Sequence, residues 1–175
     1  MKSNSVLAVC VSGLAMAWSV SAAIACDGEK VALSAGKAFT SASQSGSASA
    51  FTSAAARFTD MRGIALFALG PHRKKLAKSQ EGQYLRLAQG FMGRFMVKYA
   101  ERFNAQGLKV TGCTGNTVTA TTASGKKIMF RVSGGRVQDV NVASVWLAAQ
   151  MRSTFVSVIN RNNGDIAALL KYLKG

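Results

Sequence analysis

RVQDVNVASVWLAAQMRSTFVSVINRNNGDIAALLKYL, residues 136–173, decides the fold of this 175-residue chain. Its opening, Arg136 to Val142, is rich in β-branched residues and reads as a strand. From about Ser144 to Arg161 the apolar positions Leu147, Met151, Phe155 and Ile159 recur every four residues, the spacing of one helical face. Asn163-Gly164 stops that helix and Asp165 caps a short closing one. The stretch carries two carboxylates, Asp139 and Asp165, and neither His nor Cys. Its bulky side chains, Val140, Val142, Trp146, Met151, Phe155, Ile159 and Leu169, suit the enclosure of something apolar better than chemistry.

Upstream of Arg136 the period is also two. Leu108 to Thr111, Thr117 to Thr122 and Lys127 to Val132 are short β-rich runs, parted by Gly115-Asn116, Ser124-Gly125 and Gly134-Gly135. With Arg136 to Val142 they make an antiparallel meander of about four strands. Ile128, Phe130 and Val132 alternate with Lys127, Met129 and Arg131, so one sheet face is apolar and the other wet.

Before the sheet the period is helical. Tyr84, Leu87, Ala88, Phe91, Phe95, Tyr99 and Phe103 recur at three and four between Ser79, a candidate cap, and Phe103, with Arg86, Arg94, Lys98 and Arg102 on other faces. In FTDMRGIALFALGPHRKK, Asp60 caps a helix carrying Ile64, Phe67 and Ala68; Gly70 ends it and Pro71 begins a new turn. Lys37 to Ala56 is Ser, Ala, Gly and Thr around Phe39 and Phe51, which reads as a weakly packed helix or loop. Within it Ala48 to Phe58 has helical propensity, with Phe51, Ala55 and Phe58 on one side. Helices, then sheet, then helices make the fold class α+β.

The first 25 residues read as a secretory signal: Lys2, an apolar run from Val6 to Val20, and Ala23-Ile24-Ala25 as a small-residue cleavage site. That apolar run falls short of the roughly 20 residues a spanning helix needs. Cleavage leaves residues 26–175 as a single domain, large enough to bury a sizeable core. Two cysteines remain, Cys26 and Cys113; in an oxidising compartment they point to one disulfide, while Ala23 to Cys26 also loosely fits a lipobox that would acylate Cys26. The formal charge of +15 admits nucleic acid, an anionic membrane surface or an acidic partner. Outside Arg73-Lys74-Lys75-Lys78 the cations are dispersed, and the aromatic-basic interleaving of single-strand binders is missing, so no nucleic acid is expected as partner.

Catalysis finds little to work with. The one histidine, His72, lies among Arg73, Lys74 and Lys75 and reads as a solvated residue at a helix start. No two of the seven acidic residues have a helical spacing that aims both at one site. One His and two distant Cys make no zinc site, and no glycine-rich phosphate motif occurs. A binding protein without metal or cofactor is the expectation, and not an enzyme.

Two blocks resemble a known family. FTDMRGIALFALG followed by Gln80, Tyr84, Phe91 and Tyr99-Ala100, and the closing VQDVNVASVWLAAQMRSTFVSVINRNNGDIAALLKYL, are similar to the corresponding motifs of MlaC-type proteins, periplasmic phospholipid shuttles also described as toluene-tolerance auxiliary proteins. The likeness spans Phe58 to Leu173. Departures are Ala143-Ser144 in place of an acidic residue and Gly, Trp146 where Ser is common, and a shorter sheet segment without the Trp that often precedes the Asp139 position.

The resemblance implies a curved antiparallel sheet wrapped by helices, with an apolar pocket between them that holds acyl chains and leaves the headgroup near solvent. The implied lining is Ile64, Phe67, Leu69, Phe91, Phe95 and Tyr99 on the earlier helices, Phe130, Val132, Val140 and Val142 on the sheet, and Leu147, Met151, Phe155 and Ile159 on the last long helix. Met92, Met96, Met129 and Met151 would supply adaptable walls. It further implies a monomer carrying phospholipid between an inner-membrane ABC-type lipid transport complex and an outer-membrane lipoprotein complex. A related branch carries hopanoids; a basic polyanion-binding module is the alternative from another class.

Overall fold

The computed structural model describes residues 26–99 and 105–175. The leader and residues 100–104 lie outside the described residues, and the aromatic helix expected to run to Phe103 ends at Val97 within them. Four helices come first: α1 (Glu29–Ser45), α2 (Ala48–Phe58), α3 (Met61–Ala68) and, after a 3-10 turn over Gly70–Lys75, α4 (Lys78–Val97). Five strands follow, β1 (Lys109–Thr114), β2 (Thr117–Thr121), β3 (Lys127–Ser133), β4 (Arg136–Val142) and β5 (Val145–Trp146), and then α5 (Leu147–Arg161) and α6 (Ile166–Lys174). The sheet is an antiparallel meander in the order β1-β2-β3-β4-β5, one short strand longer than the pattern predicts.

The period-two reading holds residue by residue. Ile128, Phe130 and Val132 are buried while Lys127 and Arg131 are exposed, and Val118, Ala120 and Val140 complete the covered face. Register shifts between Val110 and Gly112, and between Arg131 and Val132, mark irregularities of the kind that bend a sheet. A disulfide between Cys26 and Cys113, with Cα atoms 6.0 Å apart, ties the start of the described chain to the edge strand β1.

The stretch from Lys37 to Ala56 differs from its expectation. It forms most of α1 and α2, both tightly packed: Ala32, Ala35, Phe51 and Ala55 are fully buried. Small side chains here permit close approach. A Cβ on Gly36 of α1 would collide with Leu108, and one on Gly93 of α4 would collide with Thr52 and the Ala48 carbonyl of α2. A composition that signals weak packing in isolation therefore serves helix-on-helix and helix-on-sheet contact, where backbone proximity substitutes for side-chain bulk.

Caps set the boundaries. Asp60 accepts from Gly63 N at 2.9 Å, Asp165 from Ala167 N at 2.8 Å, and Ser47 from Ala50 N at 3.4 Å. α4 begins at Lys78 after Ala77, ahead of the expected Ser79, without a side-chain cap. α5 ends in left-handed Asn163 and Gly164, with Gly164 N bonded to Ile159 O at 2.9 Å. Ala143 (φ 50°) and Ser144 (φ 66°) form a two-residue left-handed turn that pairs Val142 with Val145, so α5 starts three residues later than its periodicity proposes. Such hairpins favour Asn-Gly because a Cβ is strained at positive φ.

Candidate functional site

α5 has three faces, and they organise everything around it. Leu147, Ala148 and Met151 turn inward toward β4; Gln150, Thr154, Val158 and Arg161 face α4 and α6; Ala149, Arg152, Ser153 and Val156 border the 3-10 turn. α4 divides likewise. Its buried row, Tyr84, Ala88, Met92 and Met96, has period four, while Phe91 and Phe95 lie one step around and Tyr99 follows in the turn after the helix.

Between the sheet and the helices lies an enclosed slot bounded by Phe39, Ile64, Met92, Phe95, Met96, Val137, Val140, Leu147 and Met151, with Thr59, Asp139 and Ala148 completing the wall. Its volume is about 30 Å³. Pockets for small ligands run to roughly 300–1,000 Å³, so an acyl chain enters only if the walls part. Three of the walls are methionines, unbranched side chains that re-pack cheaply.

Phe95 also borders the second space, an open groove of about 1,010 Å³ between α4, α5 and α6. Its floor is aromatic: ring centroids of Phe91 lie 5.9 Å from Phe95, 5.2 Å from Phe155 and 5.8 Å from Tyr172, and Phe95 lies 4.8 Å from Tyr99. Its rim is basic, from Arg94, Lys98, Arg161 and Lys171. Arg94 Nη2 donates to the Leu173 carbonyl at 2.5 Å, tying α4 to the end of α6. Phe95 is the one residue that lines both spaces, so the slot and the basic-rimmed groove lie on either side of its ring.

Two buried polar groups frame the slot. The Tyr84 hydroxyl donates to the Ala65 carbonyl, joining α4 to α3, and burial pushes its phenol far above the ordinary value. Asp139 Oδ1 accepts from Val140 N at 2.8 Å and from Ala148 N at 2.9 Å. It thus reaches across from β4 to satisfy a first-turn amide of α5, a helix whose own N-cap residue, Trp146, offers no side-chain cap. Burial pushes the Asp139 carboxyl up; the Ala148 and Val140 amides and the positive charge of Arg131 oppose that shift. The Arg131 guanidinium stacks 4.0 Å from the Trp146 ring centroid, giving the family-atypical Trp146 a partner on the wet side of the sheet.

The fourteen expected lining residues divide. Ile64, Phe95, Val140, Leu147 and Met151 border the slot, and Phe91, Phe95 and Tyr99 border the groove. Leu69, Phe130, Val132, Phe155 and Ile159 are buried in the surrounding core without bordering either space. Val142 borders a separate hollow with Lys126, Lys127 and Ala143. Phe67 points outward, 45% exposed, with the Arg152 guanidinium 4.9 Å from its ring centroid. Its place on α3, one position beyond the buried Leu66, makes a period-based assignment to the inner face easy to misjudge by one step. Phe39, Thr59, Val137, Asp139 and Ala148 complete the slot although sequence does not single them out as lining; Phe39, one of two large anchors in a run of small residues, carries the best available signal. Among the described residues no group of three His, Cys, Asp or Glu is placed to hold a metal ion.

Fold and site define an α+β domain in which helices cover one face of an open antiparallel sheet and enclose an apolar slot. The chain belongs to the MlaC protein family, whose model matches residues 30–175. Among solved structures, a phospholipid-binding protein from Ralstonia solanacearum, in complex with a phospholipid, is similar to it with a TM-score of 0.66 and 15% sequence identity, covering 83% of this chain and 92% of that one. At that identity the likeness speaks to the fold. Comparison with curated proteins gives no match.

Proposed function

We propose that this protein is a periplasmic lipid carrier that holds the acyl chains of a phospholipid between sheet and helices and leaves the headgroup at the basic groove. The observation that carries this reading is the placement of a methionine-walled apolar slot next to an aromatic groove rimmed by four cations, with Phe95 lining both. Each methylene moved out of water contributes about 0.8 kcal/mol, so a chain of ordinary length strongly favours a deep apolar site once the walls have parted. Cations at the mouth suit a phosphodiester. Family membership and the phospholipid-bound neighbour support the same ligand class.

No bond is made or broken in this mechanism. Loading widens the slot by displacing Met92, Met96 and Met151, and release lets them close again, so the filled protein trades chain burial against side-chain repacking. The Cys26–Cys113 bridge supports residence in an oxidising compartment, reached by cleavage of residues 1–25. No helix among the described residues is long and apolar enough to cross a membrane. A monomer shuttling between an inner-membrane ABC-type complex and an outer-membrane lipoprotein complex completes the proposal.

Native mass spectrometry with lipid extraction tests it. The expected result is one phospholipid per chain, removed by organic extraction and restored on incubation with vesicles. A co-purifying hopanoid would correct the ligand class, and a chain that neither carries nor accepts lipid would sink the proposal.

A further inference from the structure

The outer face of α5, the end of α3 and the 3-10 turn together form a surface that shares only Arg161 with the lipid groove. Arg73, Lys74 and Lys75 are exposed on the turn, and Arg152 and Arg161 on α5. Two contacts fasten the turn to the end of α5: His72 Nε2 lies 2.8 Å from Asn160 Oδ1, and Lys75 Nζ donates to the Gly164 carbonyl at 3.3 Å. The one ion pair among the described residues, Arg62 with Glu81 at 2.6 Å, involves none of these five cations. Asp165, in the turn with Gly164, has its carboxylate engaged by the Ala167 amide.

Apolar groups lie among the charges. Phe67 is 45% exposed beneath Arg152, Pro71 is exposed, and a hollow of about 580 Å³ runs between Pro71, Arg152, Val156 and Arg161. Arg161 borders the lipid groove as well, so this face and the groove share an edge.

We propose that this face docks the protein on the surface of an anionic lipid bilayer, with the groove opening at its margin. Exposed Lys and Arg beside an aromatic ring match the two layers of a membrane interface, anionic headgroups outside and glycerol and upper acyl carbons beneath. Phe67, flanked by a guanidinium that can stay with phosphate, is placed to enter the second layer. This inference rests on the carrier reading for its purpose: a groove that borders the docked face at Arg161 would sit close to the leaflet it exchanges lipid with. The docking itself is chemistry of the surface alone.

Vesicle flotation of the full mature chain tests it, comparing phosphatidylglycerol-containing vesicles with pure phosphatidylcholine, and extracting bound phospholipid from the same preparations. The chain is expected to float with the anionic vesicles alone and to be released in about 1 M salt, where the screening length falls to about 3 Å. The double substitution Arg73→Gln, Lys74→Gln should weaken binding about twenty-five-fold, at about fivefold per cation. Phe67→Ala should weaken it further while leaving the salt dependence intact. All three exposed substitutions should leave the far-ultraviolet spectrum and the amount of extracted phospholipid unchanged. Equal binding to neutral vesicles, no flotation with anionic ones, or a double variant that floats like the parent would overturn the proposal. A chain that floats yet carries and accepts no lipid would keep the docking surface and remove the carrier reading; one that carries lipid without floating would do the reverse.

Discussion

α4 borders two spaces of opposite character. Its Met92 and Met96 close a slot of about 30 Å³ against the sheet, while Phe91 and Phe95, one step around the same helix, and Tyr99 just beyond its end floor a groove of about 1,010 Å³ against α5 and α6. The slot is shut because its opposite wall is β4, whose side chains are held in register by β3 and by α5. The groove is open where α4, α5 and α6 leave Phe91, Phe95, Tyr99 and Tyr172 only partly covered. A rigid wall with flexible methionines makes a site that must open to be filled; stacked rings with a basic rim make one that is always accessible. Under the carrier proposal, the difference would put chain storage in the first and capture in the second.

The strongest way to break that division is to remove Phe155, which is fully buried and touches both Tyr84 and the groove ring Phe91. Phe155→Ala should cost about 4 kcal/mol of stability in denaturant titration. Next comes the slot itself. Ala148→Phe fills space that about four methylenes would occupy, and at about 0.8 kcal/mol each retained lipid should weaken by roughly two hundredfold. Thr154→Trp, which fills the groove, should slow loading from vesicles with much less effect on the lipid already held. The reverse ranking would exchange the roles of the two spaces.

A change of opposite sign concerns the turn that leads β4 into α5. Ala143→Asn with Ser144→Gly puts a residue that tolerates positive φ at the first position, removes the side chain at the second, and should raise stability by about 1 kcal/mol, read as a higher midpoint. At the groove rim, Lys98→Gln or Lys171→Gln should weaken an anionic lipid by at most about fivefold each, and less at high salt, because both cations are exposed.

The subtlest effect is a pH slope from Asp139. Its folded carboxyl titrates above the ordinary aspartate value of 3.8, so between those two values the folded chain binds more protons than the unfolded one. The stability it contributes is complete below 3.8 and is lost as pH rises through the raised value. Asp139→Asn keeps an oxygen for the Ala148 amide and removes the titration, so its stability measured by urea unfolding across the acid range should lack that decline. An unchanged slope would show that a different group supplies it.

Much of this could be read from the chain alone, for identifiable reasons. Ile128, Phe130 and Val132 alternate so cleanly with Lys127 and Arg131 that face and strand follow from period two, and Asp60, Gly70, Gly164 and Asp165 mark ends by local backbone chemistry. α1 and α2 were harder, because the information in Gly36 and Gly93 is the nearness of another element, which no local pattern contains. Phe67 shows the same limit within a helix: the period places it near the inner face, and one step of rotation turns it to solvent.

The site divides along that line. Apolar spacing on α4 and α5 names most of the side chains that matter, since a helix exposes its periodicity in the sequence. Which of them meet across the slot, which border the groove and which merely fill the core depends on how α4, α5 and the sheet are set against one another. Asp139 is the clearest instance. As a letter in a strand it is one carboxylate among valines; only the arrival of α5 above β4 gives it an amide to satisfy, buries it and raises its affinity for a proton.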